Sequence, residues 1–144
     1  MNISASGVKI RYIASRTAPT GFDITQFTDD TDAFVSEDVQ ISETAAALNG
    51  DMVDWSVPNV IPFNISVLPN TDEQKNLDKV WNANRVSKNK LSVHDVITII
   101  ITYPDGTQRT LANGVMTNGS TMPTATSGGR LGSMTYSHSF QDVI

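Results

Sequence analysis

Two histidines are the residues of this 144-residue chain best suited to proton transfer, and their surroundings argue against catalysis. His94 stands next to Asp95, but adjacent residues of a strand point to opposite faces, so we do not expect a His-Asp relay. His138 falls on the apolar side of an alternating pattern, where a buried structural histidine is the ordinary explanation. No nucleophile, base and orienting group converge in the sequence. We predict that the chain is not an enzyme.

The sequence contains no complete motif for binding a metal ion or a phosphate group either. Asp30 and Asp32 begin like a calcium loop, but the expected glycine and the terminal glutamate of such a loop are missing. The run Gly128-Gly129-Arg130 lacks the Lys-Ser/Thr ending and the strand-to-helix setting of a phosphate-binding loop. The chain has no cysteine, which excludes disulfides, thiolate metal sites and a cysteine nucleophile. We predict no metal and no cofactor.

The charge and hydropathy of the chain restrict the kinds of partner that it could bind. Fifteen acidic residues against ten basic ones give a formal charge of -5, which argues against binding the phosphates of nucleic acid. Acidic residues are densest at Asp29, Asp30 and Asp32, and basic residues gather between Lys79 and Lys90. This asymmetry suits head-to-tail contacts between identical subunits, and it is equally common on ordinary surfaces. No apolar run reaches the roughly 20 residues of a membrane span, and the N-terminus lacks the order of a signal peptide, so we expect a soluble, unprocessed chain with no membrane insertion.

Alternation of apolar and polar residues predicts most of the chain as β-strand. The predicted strands are residues 7–13, a stretch around 22–27, three segments between 34 and 68, a β-branched strand at 96–102, two shorter strands on either side of Asn113-Gly114, and 132–141. Asn49-Gly50 lies between the first two of the three segments and is typical of a hairpin turn, because both residues tolerate positive φ. Apolar residues on both faces of 96–102 indicate a central strand covered on two sides.

One helix is predicted from Thr71 to Arg85, where Thr71 and Gln74 have the spacing of a capping box. Leu77, Val80 and Trp81 recur at helical spacing and form an apolar stripe that should pack on the sheet, covering one face of strand 96–102. Together the elements predict a mainly β (α+β) fold, an antiparallel β-sandwich or barrel with one flanking α-helix, in a single domain over residues 1–144. We expect an extended hairpin or loop at 29–57.

Two strand faces carry an excess of short polar side chains. They are Asp38, Gln40, Ser42 and Thr44 in the first hairpin, and Ser133, Thr135, Ser137 and Ser139 in the last strand. Such faces are solvated surface in most proteins. If several copies close into a ring, the same faces would line an aqueous channel whose acidic character repels nucleic acid.

Three ordered segments resemble the tail-tube proteins of contractile-tailed bacteriophages. They are PNVIPFNISVLPNTDEQKNLDKVWNANRV, DVITIIITYPDGTQRTLANGVMTNG and SGGRLGSMTYSHSF, in the C-terminal two thirds of the chain. Their order matches the family: a strand, a capped helix ending in Asn-Arg, an Asp-Val-Ile-Thr strand, a Pro-Asp-Gly turn, an Asn-Gly-Val strand, and Gly-Arg-Leu before the last strand. The N-terminal third carries less of the resemblance.

The resemblance implies a fold related to the type VI secretion tube protein, with six subunits per ring and rings stacked into a hollow tube. It implies a surrounding sheath, baseplate and tail-terminator partners, DNA that passes through the lumen without specific binding, and a virion assembled in the host bacterial cytoplasm. Extended loops reach the next ring in that family, and small apolar residues at a hairpin tip are costly to leave in water. The candidate inter-ring contacts are therefore Ala46, Ala47, Leu48, Asn49 and Gly50, and the acidic loop with Asp29, Asp30 and Asp32 is a second candidate.

The preferred function is a structural subunit of a phage tail tube. An alternative is the tube subunit of a type VI secretion system or of a phage-tail-like contractile particle without a genome. A more distant alternative, from another class, is a monomeric carbohydrate- or ligand-binding β-sandwich. That function predicts exposed aromatic residues clustered on loops, whereas Trp55 and Trp81 fall on a predicted strand and on the helical stripe.

Overall fold

The computed structural model describes residues 3–29 and 32–144, and within them the chain forms nine strands and one helix. The strands are β1 (Lys9–Ala14), β2 (Ala18–Ile24), β3 (Phe34–Ser36), β4 (Ser42–Ala46), β5 (Met52–Ser56), β6 (Ile61–Val67), β7 (Ile97–Thr102), β8 (Gln108–Gly119) and β9 (Met134–Val143). The helix, α1 (Asp72–Asn84), lies between β6 and β7 in the chain. The prediction of a mainly β fold with one flanking helix is confirmed.

Seven strands form one antiparallel sheet in the order β2-β1-β7-β8-β9-β6-β3, which curls into a half-barrel. Alternate residues of each strand in this sheet point to its inner side, and most of these positions are apolar, with His138 of β9 as a polar exception. Ile10 and Tyr12 of β1, for example, lie opposite Ile101 and Ile99 of β7, and all four are buried. The strands β4 and β5 belong to a separate two-stranded sheet.

The helix covers the inner side of the half-barrel. Leu77 and Val80 are fully buried in the core, and Trp81 packs against its margin, which confirms the predicted apolar stripe. α1 contacts β2 and β8, the strands on either side of the β1–β7 pair, so it lies over the inner face of β7 as expected. Burying these side chains against the sheet is the main source of stability for a helix of 13 residues.

Only half of the predicted capping box forms. The Gln74 amide donates a hydrogen bond to Thr71 Oγ1 at 3.2 Å, as expected for an N-cap. The Gln74 side chain, however, is buried and its Nε2 donates to the Tyr136 hydroxyl at 3.3 Å. The helix start is fixed instead by Glu73, whose carboxylate accepts hydrogen bonds from Thr25 and from the Gln26 amide.

The prediction that β7 is covered on both sides is wrong, although its central position in the sheet is confirmed. The isoleucines Ile97, Ile99 and Ile101 are buried, whereas the residues that alternate with them on the outer face are only partly buried. The physical reason is that the half-barrel is a single layer. In the described part of the chain α1 covers its inner side, and the outer side of the sheet has no comparable cover.

Asn113-Gly114 does not separate two strands, because β8 passes through it without interruption. Asn113 has a φ of 56°, and the register between β7 and β8 shifts beside it, which marks a β-bulge. Gly114 faces Phe140 of β9 so closely that a Cβ atom there would lie 2.2 Å from the Phe140 ring. The glycine is required for close packing inside the sheet and not for a turn.

Candidate assembly surface

An extended segment, residues 37–60, leaves the half-barrel between β3 and β6, and we call it the arm. The rest of the described chain is called the body. Its strands β4 and β5 pair as an antiparallel hairpin. Within the arm only Val39, Ala47 and Val57 are half-buried, and all other residues are exposed. A two-stranded hairpin exposed on all sides is only marginally stable in water. Packing against a partner would therefore stabilise the arm.

The arm has one apolar face, because side chains alternate along a strand. The cross-strand pairs Glu43–Trp55 and Ala45–Val53 share this face. Ile41 and Val57 continue the pattern beyond the hairpin, where the Val57 amide donates to the Ile41 carbonyl at 3.1 Å. Trp55 is 47% exposed and Ile41 is 76% exposed, so large apolar surfaces lie in water. Contiguous exposed apolar surface of this kind marks an interaction site.

The opposite face of the arm is mostly polar. Its cross-strand pairs are Ser42–Ser56, Thr44–Asp54 and, nearest the tip, Ala46–Met52. The predicted lumen residues Ser42 and Thr44 lie on this face. The side chains of the first two pairs carry only hydroxyl and carboxylate groups, so this face is suited to exposure to solvent.

The tip of the arm is a tight turn at the predicted Asn49-Gly50. The Gly50 amide donates to the Ala47 carbonyl at 2.9 Å, and Gly50 has a φ of 93°, which favours glycine. The Asn49 side chain bonds the backbone and the carboxylate of Asp51, at 3.0 and 2.9 Å. These bonds leave Leu48 fully exposed at the end of the turn.

The structure brings some of the predicted inter-ring residues together and separates others. Ala46, Ala47, Leu48, Asn49 and Gly50 all lie at the arm tip. Asp29 lies against the body instead, where it forms a 3.0 Å ion pair with Arg130. Asp32 lines a groove with Phe34 and Tyr103, and Asp30 lies outside the described residues. Contact of any of these residues with another ring stays a prediction.

The predicted lumen residues are divided between two sheets. Ser133 precedes β9, and Thr135, Ser137 and Ser139 lie on the outer face of β9, opposite its buried residues. Ser42 and Thr44 belong to β4 of the separate arm sheet. Asp38 and Gln40 precede β4 in a segment without regular structure, so the expected continuous strand face from 38 to 44 is wrong. A lumen location for either group stays a prediction.

The outer face of β9 is neutral and internally hydrogen-bonded. Thr135 Oγ1 lies 3.0 Å from Ser66 Oγ on the neighbouring β6, and Thr117 of β8 donates to the Ser137 carbonyl at 3.2 Å. In register, Ser137 and Ser139 face Asn64 and Pro62 of β6. The face therefore presents short uncharged side chains across three adjacent strands.

The two histidines occupy different environments. His94 is exposed, and Asp95 is turned away into the body at 2% exposed. His138 is buried in the core, with its Nε2 2.8 Å from the Tyr12 hydroxyl oxygen. Burial lowers the pKa of His138 from 6.5 to about 4, and burial followed by the charge of Asp95 raises the pKa of Tyr12 well above its usual value. His138 is therefore neutral at physiological pH and serves packing.

Asp95 and Asn84 form a polar cluster that the sequence did not single out as one unit. The Asp95 carboxylate accepts hydrogen bonds from the Arg16 amide at 2.8 Å, from the amide and hydroxyl of Thr17, and from Asn84 Nδ2 at 2.8 Å. Burial alone would raise the pKa of Asp95, but these hydrogen bonds outweigh it and lower the pKa. The cluster joins the helix end, the β1–β2 turn and the start of β7. The only sequence signal for it is the Asn-Arg and Asp-Val-Ile-Thr pair of motifs.

Among residues 3–29 and 32–144, no group of three or more His, Cys, Asp or Glu side chains is arranged to hold a metal ion. The described helix is too short and too polar to cross a membrane. The strongest unexplained feature of the described chain is thus the arm.

Solved structures with the same fold come from contractile injection systems. One chain, from the PVC sheath/tube terminator in its extended state, matches with a TM-score of 0.64 and 13% identity, covering 100% of this chain and 96% of that chain. A chain from the PVC sheath-tube complex in its extended state matches with a TM-score of 0.58 and 13% identity, covering 100% of this chain and 92% of that one. A chain from the baseplate of the anti-feeding prophage gives 0.55 and 11%, covering 100% and 96%.

The curled sheet with its single helix therefore defines a tail-tube-like fold, and the resemblance seen in the sequence is confirmed. No curated protein sequence matches the chain. The family model described as "Tail fiber protein gp32" matches residues 1–144. The chain belongs to this family, and it is therefore a tail-associated protein.

Proposed function

We propose that the chain is a structural subunit of a phage tail tube, which assembles into hexameric rings that stack into a hollow channel for genome delivery. The observation that carries the proposal is the arm. Its large apolar side chains and fully exposed tip residue extend from a body that has its own buried core. The tube-like fold and the tail family of the chain support the same function.

Assembly through the arm depends on whether the free energy gained by burying its apolar side chains exceeds the cost of association. Fully burying a side chain such as Leu48 or Trp55 contributes roughly 1.5–3 kcal/mol, whereas association costs about 4–15 kcal/mol in lost freedom of motion. One arm contact is therefore too weak to hold two copies at low concentration. In a ring that presents several arms at once, the contacts add together and only the first must overcome the full cost. Stacking is thus expected to be cooperative and to need a nucleus.

In the proposed tube the neutral outer face of β9, with the predicted residues Ser133, Thr135, Ser137 and Ser139, lines the lumen. DNA would pass over this face without specific binding, because the face presents no cation to the phosphates. Sheath, baseplate and tail-terminator proteins are the proposed partners outside and at the ends of the tube. The proposed location is the virion, with assembly in the host bacterial cytoplasm and no enzymatic activity.

Two other functions each have an observation in their favour. Two of the solved neighbours belong to an extracellular contractile injection system, which favours the tube of a phage-tail-like contractile particle. The tail fiber protein family to which the chain belongs favours a tail fiber component. Neighbouring genes for capsid and terminase would separate a phage tail from a particle without a genome. A solid filament instead of a hollow tube would indicate the fiber.

Negative-stain electron microscopy of the purified protein across a concentration series tests the proposal. We expect rings or hollow tubes with six-fold end views above a threshold concentration. Particles that stay monomeric at every concentration, even after addition of preformed rings or tube ends as nuclei, would contradict it and would favour a monomeric binding module.

The tip substitution Leu48→Asp tests the role of the arm. Leu48 is fully exposed, so the monomer should keep its fold and its unfolding midpoint while tubes become shorter or absent. Met122→Asp is the matched control, because Met122 is a similarly exposed apolar residue outside the arm. Normal tube length in the Leu48 variant, measured by electron microscopy, would remove the tip from the stacking contact.

A further inference from the structure

The charge of the chain is concentrated on the arm. Residues 37–60 contain Glu37, Asp38, Glu43, Asp51 and Asp54 and no lysine or arginine. Outside the arm ten acidic residues balance ten basic ones, so the arm carries the whole formal charge of -5. Every ion pair between described residues lies in the body. The arm thus combines an exposed apolar face with uncompensated negative charge.

A surface of opposite character lies just after the helix, and we call residues 85–91 the basic segment. It contains Arg85, Lys88 and Lys90, and no acidic residue occurs between Asp78 and Asp95. Two apolar residues of the segment are open to water, Val86 at 65% and Leu91 at 84% exposed. The basic segment therefore mixes positive charge with exposed apolar groups, as the arm mixes negative charge with them.

The basic segment is held in place by its own contacts. Ser87 and Lys90 exchange backbone hydrogen bonds of 3.2 and 3.0 Å, and Asn89 has a φ of 61°, so Lys88 and Asn89 form the tip of a tight turn. Lys90 Nζ donates to the Arg85 carbonyl at 2.9 Å, and the Arg85 guanidinium lies 5.4 Å from the centre of the Trp81 ring. A segment fixed in this way loses little freedom when a partner binds.

We propose that the arm of one copy docks on the basic segment of a second copy, with the apolar face around Trp55 against Val86 and Leu91, and with Glu43 near Lys88. This inference rests on the proposed tube function and names the surface that receives the arm. Both chemical features of the arm find their complement there, and like-charged arms repel each other.

A second surface of the body with apolar residues fits the arm less well. A groove at one end of the half-barrel is lined by Phe34 and Tyr103, but Asp32 and Asp105 lie at its margins. These carboxylates would repel an acidic arm. Among the described residues that line this end of the half-barrel, Arg109 is the single basic residue. Charge therefore selects the basic segment over the groove.

Charge reversal with rescue tests the contact. Glu43→Lys and Lys88→Glu should each raise the protein concentration at which tubes appear by at least about tenfold, since close charge pairs couple by more than about 1.4 kcal/mol, and the double variant should return toward the wild-type threshold. Both residues are exposed, and the unfolding midpoint of each monomer checks that folding is unchanged. Additive losses in the double variant would overturn the proposal.

Cross-linking locates the contact directly, because the chain has no cysteine of its own. A tagged Glu43→Cys protein is mixed with an untagged Lys88→Cys protein, or with Asp105→Cys as the control at the groove, and oxidised after assembly. A mixed disulfide with the Lys88 variant and not with the Asp105 variant is expected. Tubes that cross-link only through the Asp105 variant, or through neither, would overturn this inference while leaving the tube function intact. Wild-type protein that forms no rings or tubes even after nuclei are added would overturn the tube function itself.

Discussion

His138 is expected to make the fold lose stability in acid. Its ring is 1% exposed and packs beside the rings of Tyr12 and Phe140. Burial lowers its pKa from 6.5 to about 4, so between these values the unfolded chain binds a proton that the native chain does not. Stability is therefore retained above pH 6.5 and lost as the pH falls toward 4. At about 1.4 kcal/mol per pKa unit, the loss from this residue reaches about 3 kcal/mol at pH 4.

Urea unfolding of the unassembled protein, followed by circular dichroism at pH 7 and pH 4.5, measures this loss. His138→Gln keeps a hydrogen-bond acceptor within the core near Tyr12 but removes the titration. The wild type should lose about 2.5 kcal/mol more than the variant between the two pH values, although the variant starts from lower stability. Equal losses in the two proteins would refute the reasoning, because carboxylates common to both would then account for the whole pH dependence.

Two further substitutions test the packing of the body by the same urea titration at pH 7. Gly114→Ala places a Cβ atom 2.2 Å from the Phe140 ring and should lower the free energy of unfolding by about 1–3 kcal/mol. In the control Gly128→Ala the nearest atom would be 4.0 Å from the new Cβ atom, and the free energy of unfolding should hardly change. Equal losses in the two variants would contradict the close-packing account of the bulge. Asp95→Asn removes a buried carboxylate that accepts hydrogen bonds from three residues and should cost about 2 kcal/mol, and an unchanged midpoint would show that the polar cluster is dispensable.

The elements that the sequence predicted correctly are those with local signals. The helix has a capping residue, Thr71, and an apolar stripe, and both depend only on residues within a few turns. β6 and β9 show the strand alternation over most of their length, and most of their inner residues are buried. The mainly β class and the single helix follow from such signals alone. Their arrangement as a half-barrel depends on long-range strand pairing that periodicity does not contain.

The two Asn-Gly pairs show where local signals fail. Asn49-Gly50 turns the arm hairpin as predicted, whereas Asn113-Gly114 forms a bulge inside β8. Both pairs place a residue at positive φ, which is all that the dipeptide itself favours. What distinguishes them is the ring of Phe140, which needs the empty space at Gly114 and lies on a distant strand. The choice between turn and bulge is therefore made by tertiary packing.

The motifs that carry the family resemblance prove to be structural. Asn84 from the Asn-Arg motif donates to Asp95 from the Asp-Val-Ile-Thr motif, so two separate pieces of the resemblance meet in one hydrogen-bonded cluster. Asn84 Oδ1 also accepts from the Asp95 amide at 2.9 Å. These residues fix the helix end against the sheet. They explain how the resemblance identifies the fold, and they leave the assembly surface to other parts of the chain.

The candidate site was less predictable, because exposure depends on what the body leaves uncovered. The sequence predicted a hairpin with polar and small apolar residues, but it placed 38–44 in one continuous strand face. In the structure the strand begins only at Ser42, and Trp55 lies on the apolar face of an arm whose two strands are exposed along their whole length. A strand that is exposed on both faces has the same alternation as one that is half-buried, so periodicity does not distinguish them.

The distribution of charge bears on how copies would associate in the proposed tube. Two arms brought together face to face would place ten like charges in one contact, since each arm carries five acidic residues and no base. A symmetric dimer through the arms is thus opposed electrostatically, although their apolar faces are mutually attractive. When an arm meets the basic segment of another copy, apolar attraction and the attraction between opposite charges both favour the contact. Such a contact joins two different surfaces. Contacts between different surfaces leave a free arm and a free basic segment at the ends, so they close into rings or extend without limit. In the proposed tube, the same charges therefore direct the association of copies toward rings and tubes.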